Sequence, residues 1–459
     1  MTAPFRRAAT LRQAARRVLP PRIGTTLGTG IGVLASLAPG LLPRTPSAQA
    51  VLTGLFAALT LGVAGVLRVA GRRFGFDINQ RQGWVRLPLL IATSVLVAGA
   101  AANAGHWQNR LRAAMGTPRI GMDYWLRCTL GAALIIGLLV GATRTIAWAL
   151  RRLGWARGVS LTAVVAILLY LVGAPAVAGW RDSVYASANA ELDPALVQPV
   201  SHNGSGSGAS AVSWSSLGAE GRKFVSDAPV RAVRVYIGVA SAPDLDSRVT
   251  LAIRELARSG GFTRSHLVIT VPTGSGWIDA NAVAGFDQRF DGDVALVGLQ
   301  YSYLPSWATF VFGRDAAVTA ARSLFTAVEN HLQGLTHKPK LYVYGQSLGA
   351  LGGNAVFADD AEQDNRTCAV LWAGPPANHI HHGGATVLAN TSDPVIHWSP
   401  TQLWRAPDLT GARVDAPVPQ WLPLISFAQT TADLLTALDA PPGHGHRYGA
   451  DQGTAMGDC

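Results

Sequence analysis

A serine between two glycines is the feature of this sequence with the most chemical content. Ser347 lies in GQSLG (345–349), directly after the apolar residues 341–344 and before small residues that are compatible with a helix. The order strand, sharp turn, serine, helix is that of a nucleophile elbow, which exposes a serine hydroxyl at the end of a sheet. The pattern predicts that Ser347 is the nucleophile of an acyl transfer and that the backbone amide of Leu348 donates to the oxyanion.

A serine hydroxyl also needs a histidine that takes its proton and an acid that orients the histidine. After an elbow of this type, the acid and then the histidine follow the serine along the chain. Asp393 is the preferred acid, because it comes just after a short apolar strand predicted at 385–389. The alternative reading is that Asp393 only caps a turn before a proline. The rival carboxylates are Asp408 and Asp415 on a proline-rich stretch, and Asp433 and Asp439 on or near a predicted helix.

Two histidines near the end of the chain are candidates for the base. His444 and His446 lie in PPGHGHRY (441–448), a sequence typical of a loop. We favour His446, because a glycine precedes it and an aromatic residue follows two positions later. His444 stays an alternative, either as the base or as a residue that orients the loop or contacts the substrate.

A second oxyanion donor is expected in the loop after an earlier strand. The sequence PTGSGW (272–277) follows an apolar strand, and its glycines would let the backbone approach a reacting carbonyl. We therefore propose the amides around Gly274 and Ser275, with an ordinary glycine-rich turn as the alternative. The aromatic run at 300–307 could line an acyl pocket, lie at a membrane interface or pack in the core.

Beyond residue 221, strand-like and helix-like segments alternate, which predicts an α/β fold with a mainly parallel sheet flanked by helices. The predicted strands are 233–239, 266–271, 293–300, 341–344, 369–372 and 385–389. The predicted helices are 247–257, 316–332, 348–359 and 427–438.

The first half of the chain is much more apolar. We predict an all-helical transmembrane domain at 23–180 with about five spans, at 23–42, 48–69, 87–104, 126–147 and 159–179. The first of these contains glycine and proline, so a buried or re-entrant helix is its alternative reading. A glycine- and serine-rich stretch within 181–221 is typical of a flexible linker. The catalytic domain is then expected at 222–459.

The net charge of +11 comes mostly from arginines that flank the apolar segments. Their distribution indicates a cytoplasmic basic N-terminus at 1–22, and five spans would then place the catalytic domain outside the cytoplasm, at the cell membrane. The expected partners are therefore the lipid bilayer and an ester or acyl-lipid substrate. No zinc-finger spacing, RNP-like aromatic motif or basic amphipathic stripe indicates nucleic acid.

The three cysteines and the histidines do not form a motif with metal-ligand spacing. We expect no metal and no cofactor. A disulfide between Cys368 and Cys459 is possible if their half of the chain is extracytoplasmic, but the sequence does not establish it.

Several segments together make the chain resemble a family of bacterial, largely actinobacterial, membrane-anchored α/β-hydrolases with a multi-span N-terminal domain. They are SLAPGLLPR (36–44), PTGSGW (272–277), QYSYLPS (300–306), GQSLG (345–349), SDPV (392–395), WSP (398–400) and PGHGH (442–446). The resemblance implies the hydrolase fold and supports Ser347, Asp393 and one of the two loop histidines. The segment between residue 376 and Asp393 is shorter than this family would lead us to expect, so no substrate is carried over.

The sequence predicts a membrane-anchored serine hydrolase, similar to an esterase or lipase, that cleaves an ester or thioester through an acyl-enzyme. One alternative is an acyltransferase, in which an alcohol of the cell envelope replaces water. Another is a membrane transport or scaffold protein whose hydrolase-like domain only binds. The one pair of charged residues within a single predicted span is Arg127 and Arg144, which lie near its ends, so a conduction pathway has little support.

Overall fold

The computed structural model describes residues 20–75, 83–226, 231–377 and 380–459. The predicted basic N-terminus at 1–22 lies almost entirely outside these described residues. The chain forms two compact units. The first contains Met1–Pro39, Pro43–Ala113 and Pro118–Trp155, and the second contains Gly40–Leu42, Ala114–Thr117 and Ala156–Cys459.

The described part of the first unit is helical. Its main elements are α1 (Ile23–Ser36), α2 (Pro46–Arg73), α3 (Arg86–Ala114) and α4 (Met122–Leu153). Helix α2 packs against both α1 and α4. The α1–α2 contact is close, since the Thr60 hydroxyl donates a 2.6 Å hydrogen bond to the Gly28 carbonyl. Small residues that let helix backbones approach in this way are typical of helix pairs in membranes.

Within the part of the chain that the structure describes, four helical stretches are long and apolar enough to cross a membrane: Pro46–Arg73, Gly83–Ala114, Met122–Leu153 and Ser160–Ala190. The last of these runs through α5 (Trp155–Leu168), a π-helical turn (Leu169–Gly173) and α6 (Ala174–Ala190). The first expected span, 23–42, differs from its prediction. Its helix α1 has only 14 residues, because Pro39 and Gly40 follow shortly after its end and do not continue a helix.

A six-stranded, fully parallel sheet forms the centre of the second unit. Its strands are β1 (Val233–Ile237), β2 (His266–Val271), β3 (Val294–Leu299), β4 (Lys340–Gln346), β5 (Ala369–Ala373) and β6 (Thr386–Leu388). Their order across the sheet is β1-β3-β2-β4-β5-β6. Strand β4 lies between β2 and β5, and Gly345 near its end pairs with Val271 and Trp372. The residues that follow β4 therefore start near the middle of the sheet's carboxyl edge.

Helices accompany this sheet. They are α7 (Gly218–Ser226), α8 (Leu245–Arg258), α9 (Ala280–Arg289), α10 (Ser306–Phe312), α11 (Arg314–Gln333), α12 (Leu348–Asn354), α13 (Asp360–Arg366), α14 (Pro394–His397), α15 (Ile425–Leu434) and α16 (Asp451–Thr454). Helix α11 packs against α8 and α12, and α9 packs against α16. The fold is thus the predicted one, a parallel sheet flanked by helices and preceded by apolar helices.

The glycine- and serine-rich segment expected to be a flexible linker is packed against this sheet. The amide of Ser205 donates to the carbonyl of Arg234 in β1, at 3.0 Å. The buried carboxylate of Glu255 accepts hydrogen bonds from the Ser210 hydroxyl and the Ala211 amide, at 2.7 and 2.8 Å. The partners in these contacts are 29 to 45 positions apart in the chain, so the local composition does not reveal them.

A disulfide joins Cys368 to Cys459, with a Cα–Cα distance of 4.7 Å. It ties the residue before β5 to the last residue of the chain. The C-terminal segment, which carries the two candidate histidines, is therefore closed into a covalent loop at the side of the sheet.

Candidate active site

Ser347 lies on a strained turn between β4 and α12. Its backbone has φ 57° and ψ −124°, a conformation that is uncommon for a residue with a side chain. Gly345 and Gly349 make the turn possible. A Cβ on Gly345 would lie 2.4 Å from the Gly349 carbonyl oxygen, and a Cβ on Gly349 would lie 2.2 Å from the Val271 carbonyl oxygen. The spacing of the glycines is therefore a steric requirement of the elbow.

Asp393 is fully buried and caps α14. Its Oδ1 accepts a 2.8 Å hydrogen bond from the Val395 amide. Its Oδ2 accepts two hydrogen bonds, from Nδ1 of His446 and from the hydroxyl of Tyr448, each at 2.7 Å. A buried carboxylate is tolerated only when such partners compensate for its lost hydration. Asp393 is thus both a helix cap and the partner of a histidine.

His446 is 5% exposed, and its backbone is tied down on both sides. Its amide donates to the Ala437 carbonyl, and its carbonyl accepts from the Gln346 side chain next to the elbow. With Nδ1 directed at Asp393, the second ring nitrogen, Nε2, is buried and has no hydrogen-bond partner in the described part of the chain. A neutral imidazole held in this way presents Nε2 as an acceptor.

Ser347 and His446 line the same cavity, which has a volume of about 620 Å³. Leu348, Thr273 and Ser275 also line it. The structure therefore brings the elbow serine, the aspartate-paired histidine and two of the three predicted oxyanion residues to one space at the carboxyl edge of the sheet.

The third predicted oxyanion residue, Gly274, lies in the same tight turn but is not among the residues lining the cavity. A Cβ on Gly274 would lie 2.7 Å from the Cα of Ser306, at the start of α10. Its carbonyl accepts a 3.1 Å hydrogen bond from the Thr309 hydroxyl. Gly274 thus lets α10 approach the turn closely, and this contact holds Ser275 beside the cavity.

The rival residues have other partners or lie elsewhere in the site. Nδ1 of His444 lies 3.1 Å from Oδ2 of Asp415, so this histidine is paired with a different carboxylate. Asp433 is buried and accepts a 2.7 Å hydrogen bond from the Leu41 amide. Asp408 accepts hydrogen bonds within its own turn, from Thr410. Asp439 lines the cavity but is exposed at its edge.

Two further residues beside Asp393 were not singled out in the sequence. Burial raises the pKa of Tyr448 well above its ordinary value, so its hydroxyl stays protonated and donates to Asp393. Burial also lowers the pKa of His397. The Nε2 of His397 is 2.8 Å from the Thr391 carbonyl, two residues before Asp393. The only sequence signal for either residue was the aromatic position two residues after His446.

The fold and this site define an α/β-hydrolase. A family model described as "Alpha/beta-hydrolase family" matches residues 233–387 and 383–457, and a second, "Alpha/beta-hydrolase family N-terminus", matches residues 37–229. The chain belongs to this α/β-hydrolase family, and the matches include the helical first half as well as the sheet. No curated protein and no solved structure matches the chain.

Proposed function

We propose that this protein is a membrane-anchored serine hydrolase that cleaves an acyl ester or thioester. The observation that carries the proposal is the hydrogen bond from His446 to the buried Asp393 beside a strained elbow serine. This combination of nucleophile, base and orienting acid is the constellation that activates a serine hydroxyl in unrelated hydrolases.

In the proposed reaction, Oγ of Ser347 attacks the substrate carbonyl carbon while Nε2 of His446 takes the hydroxyl proton. The negative charge on the carbonyl oxygen is stabilised by the Leu348 amide and by an amide near Ser275. The bond to the leaving group then breaks, and His446 gives its proton to the departing alcohol or thiol. Water attacks the acyl-enzyme by the same steps in reverse and releases the carboxylic acid.

Asp393 would act through His446 and not on the substrate. Its carboxylate holds the proton on Nδ1, which leaves Nε2 free to accept, and it stabilises the imidazolium that forms during each attack. Tyr448 shares the same carboxylate oxygen, so it restrains the direction in which Asp393 points.

The kinetic test uses full-length protein in detergent and a chromogenic acetyl ester. Ser347→Ala and His446→Ala are each expected to lower kcat by roughly 10⁴-fold or more, and Asp393→Asn by about 10³- to 10⁴-fold. His337→Ala, at an exposed histidine just before the amino end of β4 and so at the opposite end of that strand from the elbow, is the matched control and should keep wild-type activity. Ester hydrolysis that survives Ser347→Ala would contradict the mechanism.

We also propose that the hydrolase domain lies outside the cytoplasm. Residues 40–42 and 114–117 belong to the same compact unit as the hydrolase domain. Residues 40–42 follow α1 and residues 114–117 lie at the end of α3. Two long helices, α2 and α3, lie between these two segments, and two further crossings, α4 and the stretch through α5 and α6, lie between the second segment and the hydrolase domain. If each long helix crosses the membrane once, both segments and the hydrolase domain are therefore on the same side. The disulfide between Cys368 and Cys459 supports an oxidising compartment.

A hydrolase domain outside the cytoplasm has a consequence for α1. With a cytoplasmic N-terminus, the chain reaches the outside only if α1 also crosses the membrane. At 1.5 Å per residue α1 is about 21 Å long, so the bilayer would be thinned around it.

The side of the membrane can be measured with reporters fused to the C-terminus. An alkaline phosphatase fusion should be active and a green fluorescent protein fusion dark, because each reporter folds properly on only one side. In the native chain, two additional thiols should become alkylatable only after reduction. A fluorescent fusion, with both thiols reactive before reduction, would place the domain in the cytoplasm and show that α1 does not cross.

A further inference from the structure

The cavity that contains Ser347 extends well beyond the reacting groups. Most of the residues that line it are apolar, and three groups of them come from separate parts of the second unit. Trp307 and Phe310 belong to α10, Trp398 follows α14, and Leu434 and Leu438 lie at and after the end of α15. A volume of about 620 Å³ is within the usual range for sites that enclose most of a small ligand.

The apolar residues on one side of the cavity pack against each other. The rings of Phe310 and Trp398 meet edge-on with centroids 5.7 Å apart, and Trp398 lies 5.8 Å from Phe427 of α15. The indole nitrogen of Trp398 donates a 3.0 Å hydrogen bond to the Thr431 hydroxyl. The polar edge of the tryptophan is therefore used within the wall, while its apolar surface borders the cavity.

We infer that this cavity binds the aliphatic acyl chain of the substrate, so the substrate class is an ester or thioester of a fatty acid. This inference rests on the proposed function, since it takes Ser347 as the nucleophile. An acyl chain bonded to the reacting carbonyl would leave Ser347 along the wall formed by Phe310, Trp398 and Leu434. Burial of each methylene there removes apolar surface from water.

The first test is a series of acetyl, butyryl, hexanoyl and octanoyl esters with one common leaving group, at constant detergent. We expect kcat/KM to rise by roughly two- to fourfold for each added methylene. A second series keeps the acetyl group and lengthens the alcohol, and it should show a much smaller rise. A rise confined to the alcohol series would overturn the assignment of the cavity to the acyl chain.

Leu434→Trp places a larger side chain in the cavity and tests whether the acyl chain occupies that space. It should lower kcat/KM for the octanoyl ester about tenfold more than for the acetyl ester, because the longer chain loses its space. Leu422→Trp is the matched control, since Leu422 lies outside the residues that line the cavity. Phe310→Ala, which enlarges the cavity, provides a second variant and should shift the preference towards longer chains.

These outcomes separate the two proposals. If no ester of either series is hydrolysed, the proposed function fails. If acetyl esters are hydrolysed but chain length has no effect, or if Leu434→Trp and Leu422→Trp have the same profile, the function stands and the acyl-chain assignment is wrong.

A second inference comes from a different set of contacts, around the backbone of Gly445, which immediately precedes His446. The Gly445 amide donates to the hydroxyl of Ser392 at 2.8 Å, and its carbonyl accepts from the side-chain amide of Asn390 at 2.9 Å. Ser392 and Asn390 both belong to the loop that carries Asp393. The loop of the acid thus holds the loop of the histidine through both backbone polar groups of Gly445, which lie in two successive peptide groups.

A third segment, residues 413–415, forms hydrogen bonds with both of these side chains. The Ser392 hydroxyl donates to Asp415 at 2.5 Å, and Asp415 also accepts from the Ser392 amide. The guanidinium of Arg413 donates to Oδ1 of Asn390 at 2.7 and 3.0 Å. Since Asn390 and Ser392 are buried, these hydrogen bonds fix their orientation without competition from water.

We propose that Asp415 is a positioning residue, which acts through Ser392 and Gly445 to keep His446 aligned with Asp393. His444, which also contacts Asp415, belongs to the same arrangement. A misplacement of about 1 Å in a catalytic group can cost about 100-fold in rate, so this support would appear in kcat.

Asp415→Ala should lower kcat by about 10- to 100-fold with little change in KM, while Asp415→Asn, which keeps an acceptor oxygen, should retain much more activity. Asp408→Ala is the control for removing a carboxylate from the same stretch. Thermal unfolding of each variant is measured alongside. If Asp415→Ala is folded with wild-type kcat, or if Asp415→Asn is as impaired as Asp415→Ala, the positioning role is wrong. Ser392→Ala tests the same path independently and should show the same loss in kcat.

Discussion

The buried carboxylate of Asp393 is the constraint around which the end of the chain is organised. A charge with no exposure to water is costly unless hydrogen bonds replace its hydration. Here three donors do so: the Val395 amide at the start of α14, the ring of His446 and the hydroxyl of Tyr448. The same contacts that make the charge tolerable fix the direction of the histidine ring.

The strained turn at Ser347 is a second constraint on the site, and it comes from the sheet. Strand β4 can deliver Ser347 to the cavity only through a backbone conformation that costs free energy, and pairing with its buried neighbours β2 and β5 holds the strand in place. The side chain of Gln346, next to the serine, donates to the carbonyl of His446. The rigid sheet and the cross-linked C-terminal segment therefore meet directly beside the reacting groups.

The parallel sheet could be predicted because its strands are short apolar runs separated by turn residues, and β2 begins and ends where expected. Helices α9 and α10 were not predicted, since ANAVAGFDQR and SWATFVF lack a clear apolar period of 3.6 residues. The flexible linker predicted for the glycine- and serine-rich segment is not observed, because the segment packs against Glu255, which is distant in sequence.

In the candidate site too, some features can be predicted from local sequence and others depend on tertiary contacts. Ser347 and Asp393 stand out by their local context, and the choice between His444 and His446 rested on neighbouring residues alone. The partners of the two histidines, Asp415 and Asp393, are set by the path of the chain between residues 393 and 441, which no local pattern encodes. The packing of Trp398 and Phe310 into one cavity wall depends on tertiary contacts in the same way.

The central claim is that Ser347 is a nucleophile activated by His446. The most direct measurement is to label the full-length protein in membranes with a fluorophosphonate and to map the modified peptide by mass spectrometry. The account predicts a single adduct on Ser347, which is lost in Ser347→Ala and forms much more slowly in His446→Ala. A folded wild-type protein that is not labelled, or an adduct on another serine, would contradict it.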